Sequence, residues 1–182
     1  TVSTYAELSG NKLQLTETSS NSTSKTFTGN LQIQFYNQPG NYVINVSVTD
    51  QSKRTIYNLV SFEYLPLISS TFNVEEIDFG SLLPGSTSTE KTVAIKNAGN
   101  VAIDLVASAT DLTNNQDIMP VSSLQIKHST SYLPLSTTLT NLDINLAPGQ
   151  NSNKQLYFKV NVPQAMNPNT YSGVISLNAM EG

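Results

Sequence analysis

Tyr42-Val43-Ile44-Asn45-Val46-Ser47-Val48-Thr49 decides the fold class. Tyr42, Ile44, Val46 and Val48 are apolar; Asn45, Ser47 and Thr49 between them are polar. A repeat of two residues places alternate side chains on opposite faces of an extended chain, so this stretch predicts a half-buried β-strand. The same rhythm runs outward in both directions. Leu31, Ile33 and Phe35 alternate with Asn30, Gln32 and Gln34, and Pro39-Gly40 marks the turn into the strand. Ile103-Asp104-Leu105 opens another such segment. Leu156, Phe158, Val160 and Val162 form one more, and Tyr171, Gly173, Ile175, Leu177 and Ala179 a last one. No segment carries apolar residues at helical spacing with capping signals. The chain reads as all-β: two antiparallel β-sandwich domains in tandem.

Composition narrows the function classes. The chain has 182 residues, enough for one large or two small domains at about 150 residues per domain. Only 12% of residues are charged, against about 25% in average proteins. Surface polarity comes instead from 23 Ser, 20 Thr and 20 Asn. Such an uncharged, hydroxyl-rich exterior fits an extracellular, secreted or cell-surface setting. Nine Lys and Arg against thirteen Asp and Glu give a net charge of −4, and only Lys53-Arg54 are adjacent cations. A phosphate-tracking groove needs clustered cations, so nucleic-acid binding is not expected. No apolar run reaches the ~18–20 residues of a membrane-spanning helix, and direct membrane insertion is not expected. No charged n-region followed by an apolar h-region opens the chain, which implies a signal peptide absent or already removed. With no Cys there are no disulfides and no thiol nucleophile, and the single His128 excludes a poly-His metal site within one chain.

The best domain boundary is Tyr64-Leu65-Pro66-Leu67-Ile68-Ser69-Ser70. A strand from Ile56 to Glu63 ends there, and Pro66 interrupts any ladder. Residues 1–66 hold about five strands, fewer than a full seven-stranded sandwich. They form either a small sandwich or a domain whose first strands lie upstream. Residues 67–182 have the length of a complete one. The connection is short and partly apolar, so the two domains are expected to touch. Leu82-Leu83-Pro84-Gly85 and Leu146-Ala147-Pro148-Gly149 echo one another, as two corners using the same turn chemistry.

Asn37-Gln38-Pro39-Gly40-Asn41-Tyr42 resembles the tyrosine corner of immunoglobulin-like sandwiches, in which a Tyr near a strand start hydrogen-bonds back to the preceding connection. With Asp50 beyond the strand, the pattern is similar to the penultimate strand of polycystic-kidney-disease-type surface domains. The resemblance implies a buried ring on Tyr42 and a hydroxyl bonded near Asn37. The second domain runs Phe72-Asn73-Val74, Ile77-Asp78-Phe79-Gly80, Pro84-Gly85-Ser86, then Thr92 to Asn97-Ala98-Gly99-Asn100. It closes with Phe158 to Pro163 and Asn169-Thr170-Tyr171-Ser172-Gly173. This resembles the Ig-like repeats of Hydin-related (ASH-like) proteins and of predicted archaeal cell-surface, S-layer-type proteins. It implies an extracellular sandwich and no particular activity. The Asn97–Asn100 corner predicts positive-φ residues joining strands 91–97 and 101–109 as a hairpin.

Candidate chemistry is sparse. His128 stands among Ser129, Thr130 and Ser131 without a nucleophile signature, and reads as a surface or strand-end residue. Glu75, Glu76 and Asp78 are the densest acidic cluster, with Glu76 and Asp78 on one solvated strand face. Asp111 and Asp117 bound a polar loop offering oxygen ligands to Ca²⁺, but it lacks the Gly and terminal Glu of an EF-hand. The expectation is no resident metal and no cofactor. Lys91 shares parity with Val93 and Ile95, which could place it for a Lys–Asn isopeptide crosslink; its head is expected in water at the strand mouth. Asn21-Ser22-Thr23 and Asn45-Val46-Ser47 are the two glycosylation sequons, where chance alone gives about five. Asn21, in a Ser/Asn/Thr loop, is the better acceptor, and Asn45 is read as outward.

No catalytic constellation emerges, and the chain is not expected to be an enzyme. The expected role is structural or adhesive: protein–protein contact at the cell surface, including self-assembly, or a spacer. The smaller first domain is the expected contact site, since few strands leave an edge or face uncovered. The alternative is a carbohydrate-binding module using exposed Tyr5, Tyr36, Tyr57, Tyr132 or Tyr157 on a flat face, in the absence of any Trp.

Overall fold

The structure is a computed structural model and describes residues 2–182. It contains sixteen strands and one short 3₁₀ turn, Val121–Ser123. Every strand pairing is antiparallel. The chain forms two compact β-sandwich units in tandem, Thr1–Pro66 and Leu67–Gly182.

Unit 1 comprises β1 (Ser3–Leu8), β2 (Asn11–Gln14), β3 (Thr16–Ser20), β4 (Lys25–Thr28), β5 (Gly40–Thr49) and β6 (Thr55–Tyr64). Four strands form a sheet in the order β2-β1-β5-β6; β3 and β4 pair as a separate hairpin. Register puts Ala6 against Val46 and Val46 against Asn58, with Leu8, Ile44 and Val60 in the next row of the same face. Phe27, Gly29 and Leu31 approach Leu15, Ala6 and Ile44 over that face. Burial falls across the sheet: Ala6 and Leu8 are buried, Ile44, Val46 and Val48 half-buried, Ile56 and Val60 exposed.

The Leu31–Phe35 alternation does not make a strand. Residues 29–39 pair with nothing as a ladder, yet Leu31 and Ile33 are half-buried while Gln32 and Gln34 are exposed. The alternation records which side faces the sheet, and the hydrogen-bonding partner that would make it a strand is missing.

Unit 2 comprises β7 (Ser70–Phe72), β8 (Lys91–Asn97), β9 (Ile103–Ala109), β10 (Leu112–Thr113), β11 (Ile118–Met119), β12 (Leu124–Lys127), β13 (Leu133–Pro134), β14 (Thr140–Asn141), β15 (Asn153–Val160) and β16 (Ile175–Glu181). One sheet runs β13-β12-β15-β8-β7 and the other β14-β9-β16, with β10 and β11 as a small hairpin. Ile95, Ile103, Leu105, Leu156 and Phe158 are fully buried in the cluster between them.

Two corners differ from the sequence expectation. Strands β8 and β9 lie in different sheets, so the Asn97–Asn100 corner is a crossing and not a hairpin. None of its four residues has positive φ. Gly99 is required for another reason: a Cβ there would stand 2.0 Å from the carbonyl oxygen of Leu67. Asn97 Nδ2 donates to the carbonyls of Val101 (2.8 Å) and Leu146 (2.9 Å), and its Oδ1 accepts from Gly99 N–H. The Pro-Gly echo also separates, because Gly85 has φ +77° and Gly149 has no positive φ. The strand imagined for Glu76 and Asp78 is absent; among residues 73–90 only Thr87 makes a bridge, to Asn161.

Candidate interaction surface

Strand β6 is ten residues long, pairs with β5 along one edge, and has no strand on the other among the described residues. Its register on β5 sets Ile56, Asn58, Val60 and Phe62 on the sheet's apolar face and Tyr57, Leu59, Ser61 and Glu63 on the opposite one. Ile56 is 71% exposed, Tyr57 67%, Leu59 66% and Val60 49%. Large apolar residues therefore stand in water on both sides of one free edge. Val43, next to Ser61 on β5, extends the patch. From Thr55 to Phe62 no residue is charged; Lys53 and Arg54 precede this stretch and Glu63 follows it.

Tyr42 anchors the entry to the same surface. Its hydroxyl donates to the carbonyl of Gln38 at 2.7 Å, its half-buried ring stacks on Phe62 with centroids 5.6 Å apart, and Tyr64 meets it edge-on. Tyr171 makes the same arrangement in unit 2, donating to the carbonyl of Asn167 at 3.0 Å. Sequence analysis passed over this second one. The shared signal is a Tyr three residues after a Pro, Gln38-Pro39-Gly40-Asn41-Tyr42 and Asn167-Pro168-Asn169-Thr170-Tyr171.

The other candidates do not converge. Asp111 Oδ1 accepts from Val121 N–H at 2.7 Å, and Asp117 Oδ2 from Asn167 Nδ2 at 3.0 Å and Tyr171 Oη at 3.4 Å. Asn114, between them, closes a turn by accepting from the N–H groups of Gln116 and Asp117. Among the described residues no three His, Cys, Asp or Glu side chains are placed to hold one metal ion. Asn21 sits exposed at the tip of the β3–β4 hairpin, its Oδ1 accepting from Thr23 and Ser24 N–H. Asn45 is half-buried, flanked by Glu7 and Leu59, and its Oδ1 is buried without a hydrogen-bond partner. Lys91 is half-buried opposite Phe158. His128 is half-buried with Nδ1 unpartnered; burial, aided by the charge of Lys154, lowers its pKa below the usual 6.5 against the opposing pull of Asp143.

Four of the tyrosines named as a carbohydrate platform fall into two pairs, Tyr132 with Tyr157 in unit 2 and Tyr5 with Tyr57 in unit 1. Lys127 lies over the rings of both Tyr132 and Tyr157, Lys159 over Tyr132, and Lys12 over Tyr5. Tyr132 also donates to Glu90, which in turn accepts from Lys127 at 2.9 Å; burial first, and that carboxylate second, push the Tyr132 hydroxyl up to about 12. Cations thus occupy ring faces that a sugar would need. Tyr57 keeps an open face, two strands from Tyr5 with Ser47 between.

A second opening lies in unit 2, a cavity of about 1000 Å³ between the sheets bounded by Phe72, Ile77, Phe79, Val162, Tyr171 and Ile175. Glu75, Glu76 and Asp78 line it as well.

No family model matches the chain, and no curated protein matches it. Among solved structures it is similar to a chain of the CsuC–CsuE chaperone–tip adhesion subunit pre-assembly complex from archaic chaperone–usher Csu pili of Acinetobacter baumannii. Identity is 10%, the match covers 98% of this chain and 84% of that one, and the TM-score is 0.50. It is also similar, at 13% identity and TM-score 0.45, to a chain of a chaperone–tip adhesin complex of CFA/I fimbriae biogenesis, covering 100% of this chain and 69% of that one. The likeness is one of fold.

Proposed function

We propose that this chain is an assembly or adhesion module of a cell-surface protein that docks protein through β6 of unit 1, with unit 2 as the stable spacer. One observation carries this: a ten-residue edge strand whose two faces expose Ile56, Tyr57, Leu59 and Val60. Native edges are normally blunted by charge, Pro or short length, and monomers seldom expose contiguous apolar patches. Most other sheet edges among the described residues follow that rule, and β16, an edge of seven residues, meets it only through its terminal Glu181. β2 has four residues including Lys12, β7 has three, β13 ends in Pro134, and β14 has two. The hydroxyl-rich, weakly charged exterior supports an extracellular setting, of the S-layer or surface-repeat kind suggested by the unit 2 motifs. The fold shared with pilus chaperone–adhesin complexes supports assembly as the use of the sandwich. Dispersed acids and a single, half-buried imidazole support a non-enzymatic role.

The second reading, carbohydrate binding, has the exposed Tyr57 in its favour. Light scattering against concentration, run beside a glycan panel, separates the two. The expected result is a mass that rises with concentration and no glycan bound. A chain that stays monomeric and binds a glycan, with binding lost in Tyr57→Ala, would replace the assembly reading by the carbohydrate one.

A further inference from the structure

Resting on that reading, we infer that the partner of β6 is a second copy of this chain, paired antiparallel across a two-fold axis centred on Leu59. An edge strand turns the N–H and C=O groups of every second residue outward. In a two-fold antiparallel pair those residues must face their own kind, so odd numbers face odd and the axis passes through a residue. Three centres keep most of the strand overlapped: Asn58, Leu59 and Val60. The charges at the two ends disfavour the Val60 axis, and overlap and packing decide between the other two. Antiparallel pairing brings the Lys53-Arg54 end of one copy to the Glu63 end of the other. With the axis at Leu59, Glu63 of one copy faces Thr55 of the other, diagonal to Lys53 on the same face, while Arg54 is held by Asp50. An axis at Val60 carries Glu63 away to Tyr57; an axis at Asn58 sets Glu63 opposite Lys53, outside the strand, but puts two amides together amid the apolar strip and shortens the overlap.

The same register suits both faces. Ile56 meets Phe62 and Asn58 meets Val60, so the apolar faces of two sheets become one continuous face. On the other side Leu59 meets Leu59, and Tyr57 meets Ser61. The uncharged run Thr55–Phe62 is covered along its whole length. A two-fold contact uses the same edge on both copies, so it closes as a dimer and does not propagate through β6.

The absence of cysteine makes the geometry testable by crosslinking. In Leu59→Cys the two thiols face each other across the axis, and mild oxidation is expected to give a disulfide-linked dimer. Leu139→Cys, 62% exposed in unit 2, is expected to stay monomeric under the same oxidation. Leu59→Lys is expected to abolish the dimer with an unchanged circular dichroism spectrum. Glu63→Lys is expected to raise the dimer dissociation constant about fivefold, and adding Lys53→Glu to restore it. Light scattering is expected to plateau at two copies. Growth beyond two copies, or association without a Leu59→Cys crosslink, overturns the two-fold pairing and leaves the assembly reading standing. A chain monomeric at every concentration that binds no glycan overturns the second copy as partner and leaves only the spacer role.

Discussion

A Cβ on Gly99 would collide with the carbonyl oxygen of Leu67, and the two buried asparagines beside it answer the same crowding. Backbone from three segments meets there, and Asn97 supplies the donors that the carbonyls of Val101 and Leu146 need. An unmet polar group at such depth costs about 1–3 kcal/mol, which is why amides stand where an apolar core would otherwise continue. His128 shows the opposite case, a half-buried ring nitrogen with no partner. Its pKa is lowered in the folded chain by burial and by Lys154. Below pH 6.5 the unfolded chain takes up a proton that the folded chain resists, so unfolding is favoured. Stability is full above that pH and falls as pH drops through the folded pKa. Melting temperature measured from pH 7 to pH 5 is expected to decline in the wild type and stay flatter in His128→Gln. The carboxylates of Glu17, Asp50 and Glu90 have lowered pKa values, held by hydrogen bonds from Lys25, from the Arg54 backbone and from Tyr132 respectively. Their contribution is lost only below about pH 4.5, so the two windows separate.

At the scale of the element, the two Pro-containing connections before β5 and β16 use one device. Proline fixes one torsion, and a tyrosine three residues on returns its hydroxyl to the carbonyl just before that proline. The bond ties a loop to the sheet it enters. Tyr42→Phe and Tyr171→Phe are each expected to cost on the order of 1 kcal/mol. Chemical denaturation is the measurement, and the two losses are expected to be independent, each in the transition of its own unit, because the residues lie in separate units with no shared partner. An unchanged midpoint in either variant would remove the corner as a stabilising element there.

At the scale of the whole molecule, the two units have very different interiors. Among the described residues, sixteen of the eighteen buried apolar side chains belong to unit 2, and Ala6 and Leu8 are the other two. A domain of about 60 residues buries a smaller share of its surface than one of twice that length. Unit 1 adds an exposed strand to that handicap. Calorimetry on dilute protein is expected to resolve two transitions, with unit 1 melting first, and residues 67–182 alone to retain the upper one. Tyr42→Phe is expected to move only the lower transition. At concentrations where β6 pairs, the lower transition is expected to rise, since association stabilises the folded form by mass action. A single transition unaffected by concentration would count against both the weak unit and its self-pairing.

Much of this was legible in the chain by itself. Alternation in Tyr42–Thr49, Leu156–Val162 and Tyr171–Ala179 marked strands and their inward sides, because side-chain direction in an extended chain is set locally, although the last ladder begins only at Ile175. The resemblance of Asn37–Tyr42 to a tyrosine corner implied a bond back across the turn near Asn37, and Tyr42 makes one to Gln38, the next residue. Pairing was not legible. Leu31–Phe35 has the pattern of a strand and no ladder, and Asn97–Asn100 has the composition of a hairpin yet carries the chain from one sheet to the other. Hydrogen-bond partners are chosen among segments distant in sequence, by the packing of the whole unit. The exposure of β6 is of the same kind. Its residues read as an ordinary strand, and only the position of β6 at the end of its sheet, beyond the reach of the covering loop, leaves Ile56 and Val60 in water.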